Sequence, residues 1–253
     1  MMKPPPFLAA VSLLWVGLSY ANGSEVGFEA GSVFPLHSSQ IRLVSEQVVI
    51  NLSGATPGSS GFVMCWYTLE NLSSDPIAFS MAFITAPAYS GYPWSAGKYR
   101  AARLFASLDG ERLPIHWAAV DVARWRDIVE TPPDSLPTWD IPLGGGDSAT
   151  LYLSYEVSWS GGTDGADTGR TFTYYAQPAA LWADVIQEAT ITVHLGEPLA
   201  LLLQCQEASA GCVRFQASPP GYTWFSGGLK WQFRDWEPDS DIRVSLDWIT
   251  DIH

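Results

Sequence analysis

Apolar and polar residues alternate along most of this chain, and the pattern is densest between residues 61 and 85. Two apolar runs, residues 62–69 and 77–84, flank a polar connector whose Asn, Ser, Asp and Pro residues favour turns. This arrangement predicts a β-hairpin. The first run is apolar on both faces, which is typical of a central strand. In the second run four large apolar residues alternate with smaller ones, as expected when one face packs inward: Ile77, Phe79, Met81 and Phe83.

The same period-two pattern predicts strands in the flanking segments. Residues 41–52 alternate but change phase at Ser45 and Glu46, which predicts a β-bulge. Asp109-Gly110 separates two short apolar segments and predicts a type I′ hairpin turn. Residues 149–159 form another alternating run. Further strand-like segments follow in the C-terminal part of the chain: residues 170–177, 188–195, 199–205, 212–216, 229–236 and 242–249.

These roughly one dozen short strands predict an all-β fold with antiparallel β-sandwich architecture, built as two packed β units. At most one short helix is expected, at residues 119–130. The Gly- and Asp-rich stretch 161–169 is the predicted linker between an N-terminal unit, residues 22–160, and a C-terminal unit, residues 170–253. A single continuous sandwich is the alternative.

The N-terminus has the features of a signal peptide. Lys3 precedes an apolar core, residues 7–18, and Ser19 and Ala21 supply the small side chains that signal peptidase requires. The apolar core is shorter than the about 20 residues that span a bilayer. We therefore expect removal of residues 1–21 and export of a mature chain without a transmembrane segment, to the periplasm or the extracellular space.

The charge balance limits the partners. The chain contains 26 acidic and 13 basic residues, for a formal net charge of −13 at pH 7. Such a surface repels nucleic-acid phosphates and anionic lipids, so a nucleic-acid partner is not expected. Charged residues make up 15% of the chain and aromatic residues 13%, a combination typical of a packed β protein and not of a disordered one.

Three cysteines and two aspartates are candidate structural or metal-binding residues. Cys205 and Cys212 bracket a short polar loop, and in an exported protein that spacing predicts a disulfide; two free thiols are the alternative. Cys65 lies within an apolar run and is expected to be a buried thiol. Asp164 and Asp167 are a secondary candidate for binding Ca²⁺, but their loop lacks the acid spacing of an EF-hand, so no metal is assigned.

Residues with catalytic potential are scattered along the chain. No Gly-x-Ser-x-Gly motif occurs, and the four histidines, at positions 37, 116, 194 and 253, form no closely spaced pair. Acids for a glycosidase occur as Asp134 with Asp140 and as the group Glu237, Asp239 and Asp241. Turn capping is the more economical role for these acids. The sequence thus leans against an enzyme and assigns no catalytic residue and no cofactor.

The aromatic segment that begins after residue 87 is the candidate ligand-binding loop. Flat aromatic faces stack on sugar rings or anchor a partner protein. The alternative is that these rings fold back and close the end of the sandwich. Aromatic residues further along, at positions 224, 225, 231 and 236, are interpreted as framework. The candidate ligand-binding residues are Tyr89, Tyr92, Trp94 and Tyr99.

Several short stretches resemble a family of secreted bacterial β-rich proteins known only as a domain of unknown function. The resemblance is spread over most of the mature chain, and each matching piece is short. It implies an exported β protein and supplies no catalytic residues. The matching residues are 48–50, 65–71, 108–110, 173–175, Trp182, 189–193, 233–238 and 241–244.

Two functions of different classes follow. The first is an exported, non-catalytic protein that binds a partner protein or a glycan through loops at one end of the sandwich. The second is a carbohydrate-active or other hydrolytic enzyme that uses paired carboxylates. The first predicts an exposed aromatic patch, and the second predicts a deep pocket in which acids converge. Because the sequence lacks a motif with chemical specificity, it favours the first, although a β-sandwich by itself is compatible with both.

Overall fold

The computed structural model describes residues 30–35, 40–52, 60–84, 103–119, 135–158, 160–164, 167–176, 179, 182–195 and 213–248. These residues form sixteen strands, numbered β1 to β16 in chain order, in two sheets. No α-helix occurs in these ranges. The predicted helix at 119–130 lies outside them, except for Ala119, which ends a strand. The predicted all-β fold is therefore confirmed.

Each sheet contains eight strands. In sheet 1 the spatial order is β13 (Val213–Ser218), β16 (Ile242–Trp248), β11 (Asp167–Tyr175), β1 (Ala30–Pro35), β4 (Ile77–Ile84), β8 (Ser135–Leu143) and β7 (His116–Ala119), and β10 (Ser160–Asp164) also pairs with β11. In sheet 2 it is β14 (Thr223–Phe225), β15 (Gly228–Trp236), β12 (Ile186–His194), β2 (Ile41–Asn51), β3 (Ser60–Asn71), β9 (Ser148–Ser158), β5 (Phe105–Leu108) and β6 (Glu111–Arg112).

One parallel pairing divides each sheet, whereas the other strand pairings are antiparallel. In sheet 1, β1 runs parallel to β11, with Ala30 opposite Tyr174. In sheet 2, β2 runs parallel to β12, with Glu46 opposite Ala189. On one side of these two seams all strands come from residues 30–158, which we call the N-terminal half. On the other side they come from residues 160–248, the C-terminal half.

The stretch 161–169, predicted as a linker, contributes to two strands of sheet 1. It belongs to β10 and β11, which pair with each other from Ser160 opposite Thr171 to Asp164 opposite Asp167. Residues 165 and 166 are outside the described ranges. The seams fall at the change from the predicted N-terminal unit to the predicted C-terminal unit, and the assignment of two separate units stays a prediction.

The two sheets pack face to face around a single apolar core. Inward residues of both sheets belong to this core, among them Phe83 of β4 and Tyr155 of β9, whose ring centroids are 4.7 Å apart. The period-two burial that the sequence predicts is confirmed in β4, where Phe79, Met81 and Phe83 are buried. The predicted bulge is also confirmed, since the register of β2 against β3 shifts between Leu43 and Ser45. This shift gives Glu46 an inward position, with 2% of its surface exposed.

The predicted turn at Asp109-Gly110 is confirmed. It joins β5 to β6, with Leu108 opposite Glu111. Both turn residues have positive φ, 47° at Asp109 and 87° at Gly110, as a type I′ turn requires.

The predicted hairpin between residues 62–69 and 77–84 is wrong. The first run belongs to β3 in sheet 2 and the second to β4 in sheet 1, so the connector crosses between the sheets. A set of hydrogen bonds holds the connector against the turn after β8, which explains why no hairpin forms. The buried Asn71 side chain donates to the carbonyl oxygens of Asp75 and Gly144, both at 2.8 Å, and accepts from the amide of Ser73 at 2.9 Å. These contacts satisfy the polar backbone of the connector without a hairpin ladder.

Candidate functional site

The four residues predicted to bind a ligand, Tyr89, Tyr92, Trp94 and Tyr99, lie outside the described residues, as do Cys205 and Cys212. Asp164 and Asp167 are register partners at the end of the β10–β11 pair. In the part of the chain that the structure describes, no group of three His, Cys, Asp or Glu side chains is placed to hold a metal ion. Within that part, too, no helix is long and apolar enough to cross a membrane.

An aromatic cluster lies where the edge strands of the two sheets meet. We define the C-terminal aromatic cluster as Phe215 of β13, Tyr222, Trp224 of β14 and Trp231 of β15. The Phe215 and Trp224 centroids are 4.9 Å apart, and the Tyr222 and Trp231 centroids are 5.4 Å apart. Trp231 is 1% exposed, whereas Trp224 is 51% exposed. The cluster therefore presents one indole to solvent, packed against the half-buried Phe215 and Tyr222 rings, with the buried Trp231 ring beneath Tyr222.

Local structure holds this cluster in place. The connection from β13 to β14 passes from sheet 1 to sheet 2, and Trp231 donates its Nε1–H to the Pro219 carbonyl oxygen within it at 2.9 Å. The following turn needs glycine twice. Gly227 has a φ of 99°, and a Cβ on Gly228 would lie 2.0 Å from the Val193 carbonyl oxygen. Trp224 thus sits on a short strand that both sheets support.

The strands of the cluster also carry polar residues on their outer faces. Gln216 and Thr223 are exposed, and Lys230 is half-buried opposite Thr223 on the neighbouring strand. The Thr223 hydroxyl donates to the Lys230 carbonyl oxygen at 3.3 Å. An exposed indole face that is packed on other rings suits a ligand with a flat apolar face, such as a sugar ring.

A second row of aromatic residues lies on the outer face of sheet 2. Trp66 of β3 and Tyr152 of β9 are direct cross-strand partners, with centroids 5.3 Å apart. Phe105 of β5 lies 6.1 Å from Tyr152, and the Arg112 guanidinium lies 5.7 Å from the Phe105 centroid. All three rings are half-buried against their neighbours. Such pairs stabilise adjacent strands, so this row has a structural explanation.

Three of the described candidate acids for catalysis accept hydrogen bonds from separate partners. Asp140 accepts a hydrogen bond from Ser80 Oγ at 2.5 Å, Asp241 accepts one from the Ala176 amide at 3.0 Å, and Asp239 accepts one from Ser240 Oγ at 3.1 Å. Asp134 lies outside the described residues. Asp140 thus pairs with a residue across the β4–β8 ladder and Asp241 binds a backbone amide far away in sequence, so these two carboxylates have structural partners that are not turn caps.

The described histidines also have separate surroundings. His116 is exposed on β7 in sheet 1, and His194 ends β12 in sheet 2 with its ring 5.2 Å from that of Phe225. His37 and His253 are outside the described ranges.

The titratable groups with displaced pKa values lie between the sheets. Burial raises the pKa of Glu46 to about 7, and the hydrogen bond from Tyr174 lowers it in part. Burial also raises the pKa of the Tyr67 and Tyr174 hydroxyls and of the Cys65 thiol. All four side chains are at most 2% exposed. Because these four side chains are enclosed between the sheets, they do not form a substrate-binding site. Burial explains their displaced pKa values.

Cys65 is predicted to be unreactive in the folded protein, because its thiol is fully buried and its pKa is raised. Iodoacetamide at pH 8 followed by peptide mapping should modify Cys65 only after unfolding. The same map tests the disulfide predicted from the sequence, since Cys205 and Cys212 should resist alkylation until a reductant is added. Rapid alkylation of Cys65 in the native protein would contradict the buried position.

Comparison with known proteins supports the fold. No protein-family model and no curated protein matches this chain. Among solved structures, the chain is similar to a candidate nutrient-binding protein from Legionella pneumophila, with a TM-score of 0.66 and 16% sequence identity over 87% of this chain and 71% of that chain. At this identity the likeness shows a shared fold. Yeast leukotriene A4 hydrolase aligns with a TM-score of only 0.38 at 8% identity, over 83% of this chain and 29% of that enzyme, and carries no argument.

Two features escaped the sequence interpretation. Trp224 packs against Phe215 and Tyr222, as a framework residue does, but 51% of its surface is exposed, which the sequence does not indicate. Phe225, Trp231 and Trp236 are half-buried or buried, as interpreted. The second feature is the buried carboxyl of Glu46, whose only sequence signal is the phase change at the bulge. The sequence does not reveal that Glu46 is buried, because Tyr174, which donates a hydrogen bond to it from the other sheet, lies 128 residues away.

Proposed function

We propose that this chain is an exported, non-catalytic binding protein and that it binds a neutral glycan on the C-terminal aromatic cluster. The exposed Trp224 indole, supported by Phe215 and by the buried Trp231 through Tyr222, carries the proposal. A ring that is already held in place loses little conformational entropy on binding, which favours stacking against a sugar ring.

The surroundings of Trp224 favour a glycan over other ligands. The chain's net charge of −13 disfavours polyanions. The exposed face of the Trp224 indole offers a stacking surface for a neutral sugar ring. The catalytic alternative has less support, since Asp140, Asp239 and Asp241 each accept a hydrogen bond from a different part of the fold and the acid with a raised pKa is buried in the core. A binding role also agrees with the description of the similar Legionella protein as a candidate nutrient-binding protein.

The C-terminal aromatic cluster contains none of the residues 87–99 of the predicted aromatic loop. Strand β4 runs antiparallel to β1, and β1 runs in the same direction as β11 and β13. The chain therefore leaves β4 at the opposite end of sheet 1 from Ser218. Variants can distinguish the two surfaces.

Trp224→Ala is expected to weaken glycan binding about 30-fold, the loss typical of a central aromatic anchor worth about 2 kcal/mol. A glycan array of neutral oligosaccharides probed with the full chain identifies the ligand, and isothermal titration calorimetry with that oligosaccharide measures the loss. Trp66→Ala, which removes an indole from the outer face of sheet 2, is the matched control and should bind normally.

Other outcomes would redirect the proposal. If Trp94→Ala abolishes binding and Trp224→Ala does not, the ligand binds the loop predicted from the sequence and the cluster is only framework. If the array shows no glycan while a pulled-down protein loses affinity for the Trp224→Ala variant, the cluster anchors a protein. Hydrolysis of an array glycan by the purified chain would support the enzyme alternative.

A further inference from the structure

The buried carboxyl of Glu46 lies on the junction of the two halves. Glu46 belongs to β2 in the N-terminal half, directly opposite Ala189 of β12 in the parallel seam of sheet 2. Its Oε1 accepts a 2.5 Å hydrogen bond from the Tyr174 hydroxyl. Tyr174 belongs to β11 in the C-terminal half, directly opposite Ala30 of β1 in the parallel seam of sheet 1. One hydrogen bond therefore joins both sheets and both halves.

The groups that face Glu46 are neutral hydroxyls and a thiol. Tyr67, its antiparallel partner on β3, lies with its hydroxyl 3.3 Å from that of Tyr174. Each hydroxyl has one proton, and since Tyr174 gives its proton to Glu46, Tyr67 is the donor to Tyr174. Cys65 on β3 and Tyr155 on β9 complete the group. Among the described residues, no basic side chain forms an ion pair with Glu46.

One oxygen of this carboxyl has no partner. Oε2 is buried and accepts no hydrogen bond from the described residues. In the neutral acid the carboxyl carries no net charge, so Oε2 is a buried polar atom without a partner but not a buried charge. After ionisation, Oε2 is a buried anionic oxygen without a donor, which is strongly unfavourable unless water reaches it. Water must then enter between the sheets at the seams.

We propose that Glu46 is a proton-operated latch, which in its neutral form holds the two halves of the sandwich together and on ionisation loosens both parallel seams. The latch is independent of the proposed glycan binding, because the C-terminal aromatic cluster lies at the far edges of the sheets. The stability of the contact between the two halves therefore depends on pH.

The direction of the pH effect follows from linkage. Folding raises the pKa of Glu46 from 4.5 to about 7, so the folded state holds its proton more tightly than the unfolded state. The stabilising contribution is complete below pH 4.5, declines about tenfold in the folding equilibrium constant per pH unit, and levels off above pH 7. The full loss amounts to about 300-fold.

Hydrogen exchange measured by mass spectrometry tests the latch. The ratio of exchange rates between wild type and Glu46→Gln, taken at the same pH, cancels the intrinsic pH dependence of exchange. Gln is neutral at every pH and nearly isosteric. We expect a constant ratio near pH 4.5 and a rise of up to about 300-fold by pH 8, concentrated in the peptides of β1, β2, β11 and β12. Glu188→Gln, an exposed acid on β12 opposite Ser45, is the control and should behave as wild type.

Tyr174→Phe provides a second readout if Glu46→Gln folds poorly. It removes the hydrogen bond that favours the ionised form, so the pH at which the seams loosen should move upward. Equal profiles for wild type and Glu46→Gln from pH 4.5 to 8 would overturn the proposal. A pH-dependent difference spread evenly over all strands would also overturn it, because Glu46 would then be a buried acid without a latch function.

Discussion

Replacing Trp231 by alanine is expected to lower the free energy of unfolding by about 3–5 kcal/mol. The indole is among the largest fully buried side chains, lies opposite Ile191 on β12, and supports the Tyr222 ring. Its removal leaves a cavity and also removes the donor to the Pro219 carbonyl oxygen. Urea unfolding followed by circular dichroism measures the change as a lower midpoint at an unchanged slope.

Two variants separate the contributions of Trp231. Trp231→Phe keeps most of the ring volume but loses the Nε1–H donor, and should cost less than alanine. Trp224→Ala removes an indole that is half exposed, and should cost about 1 kcal/mol or less. Equal losses for Trp224→Ala and Trp231→Ala would contradict the division of the cluster into a buried base and an exposed face.

Replacing Asn71 by aspartate is expected to destabilise the fold by about 3 kcal/mol or more at pH 7. The amide nitrogen donates to two carbonyl oxygens, those of Asp75 and Gly144, in a buried position. A carboxylate has no donor for them and adds a buried charge. Thermal unfolding at pH 7 is the measurement. Because the same amide is fully engaged, the Asn-Leu-Ser sequon at residues 71–73 is not available for glycosylation in the folded chain.

Gln47→Glu is the matched control for Asn71→Asp. It makes the same change from amide to carboxylate at an exposed position of β2, so it adds the same charge to an already acidic chain. We expect little change in the melting temperature. A similar loss in both variants would mean that general charge repulsion, and not the hydrogen bonds of Asn71, explains the effect.

The sequence predicted what local periodicity determines. Alternation identified β4 and β9, the phase change located the bulge before Glu46, and Asp109-Gly110 identified a hairpin. It failed where partner choice depends on distant residues. The connector after Asn71 looked like a hairpin turn, because nothing local shows that its amide binds Gly144, on the turn after β8. The exposure of Trp224 depends in the same way on strands that lie elsewhere in the sequence.

Strand β1 occupies a central position in sheet 1 although it precedes the other described strands along the chain. Its antiparallel partner, β4, follows within about fifty residues, but its parallel partner begins at Asp167. Until β11 is available, one edge of β1 has no hydrogen-bonded strand partner. One edge of β2 likewise has no partner until β12 forms. Pairing between strands that are distant in sequence is slow, because closing the long intervening loop costs entropy. Before these pairs form, the N-terminal half exposes two unpaired strand edges. Topology therefore makes the N-terminal half on its own an aggregation-prone intermediate, and co-expressing the C-terminal half as a separate chain is the direct way to rescue it.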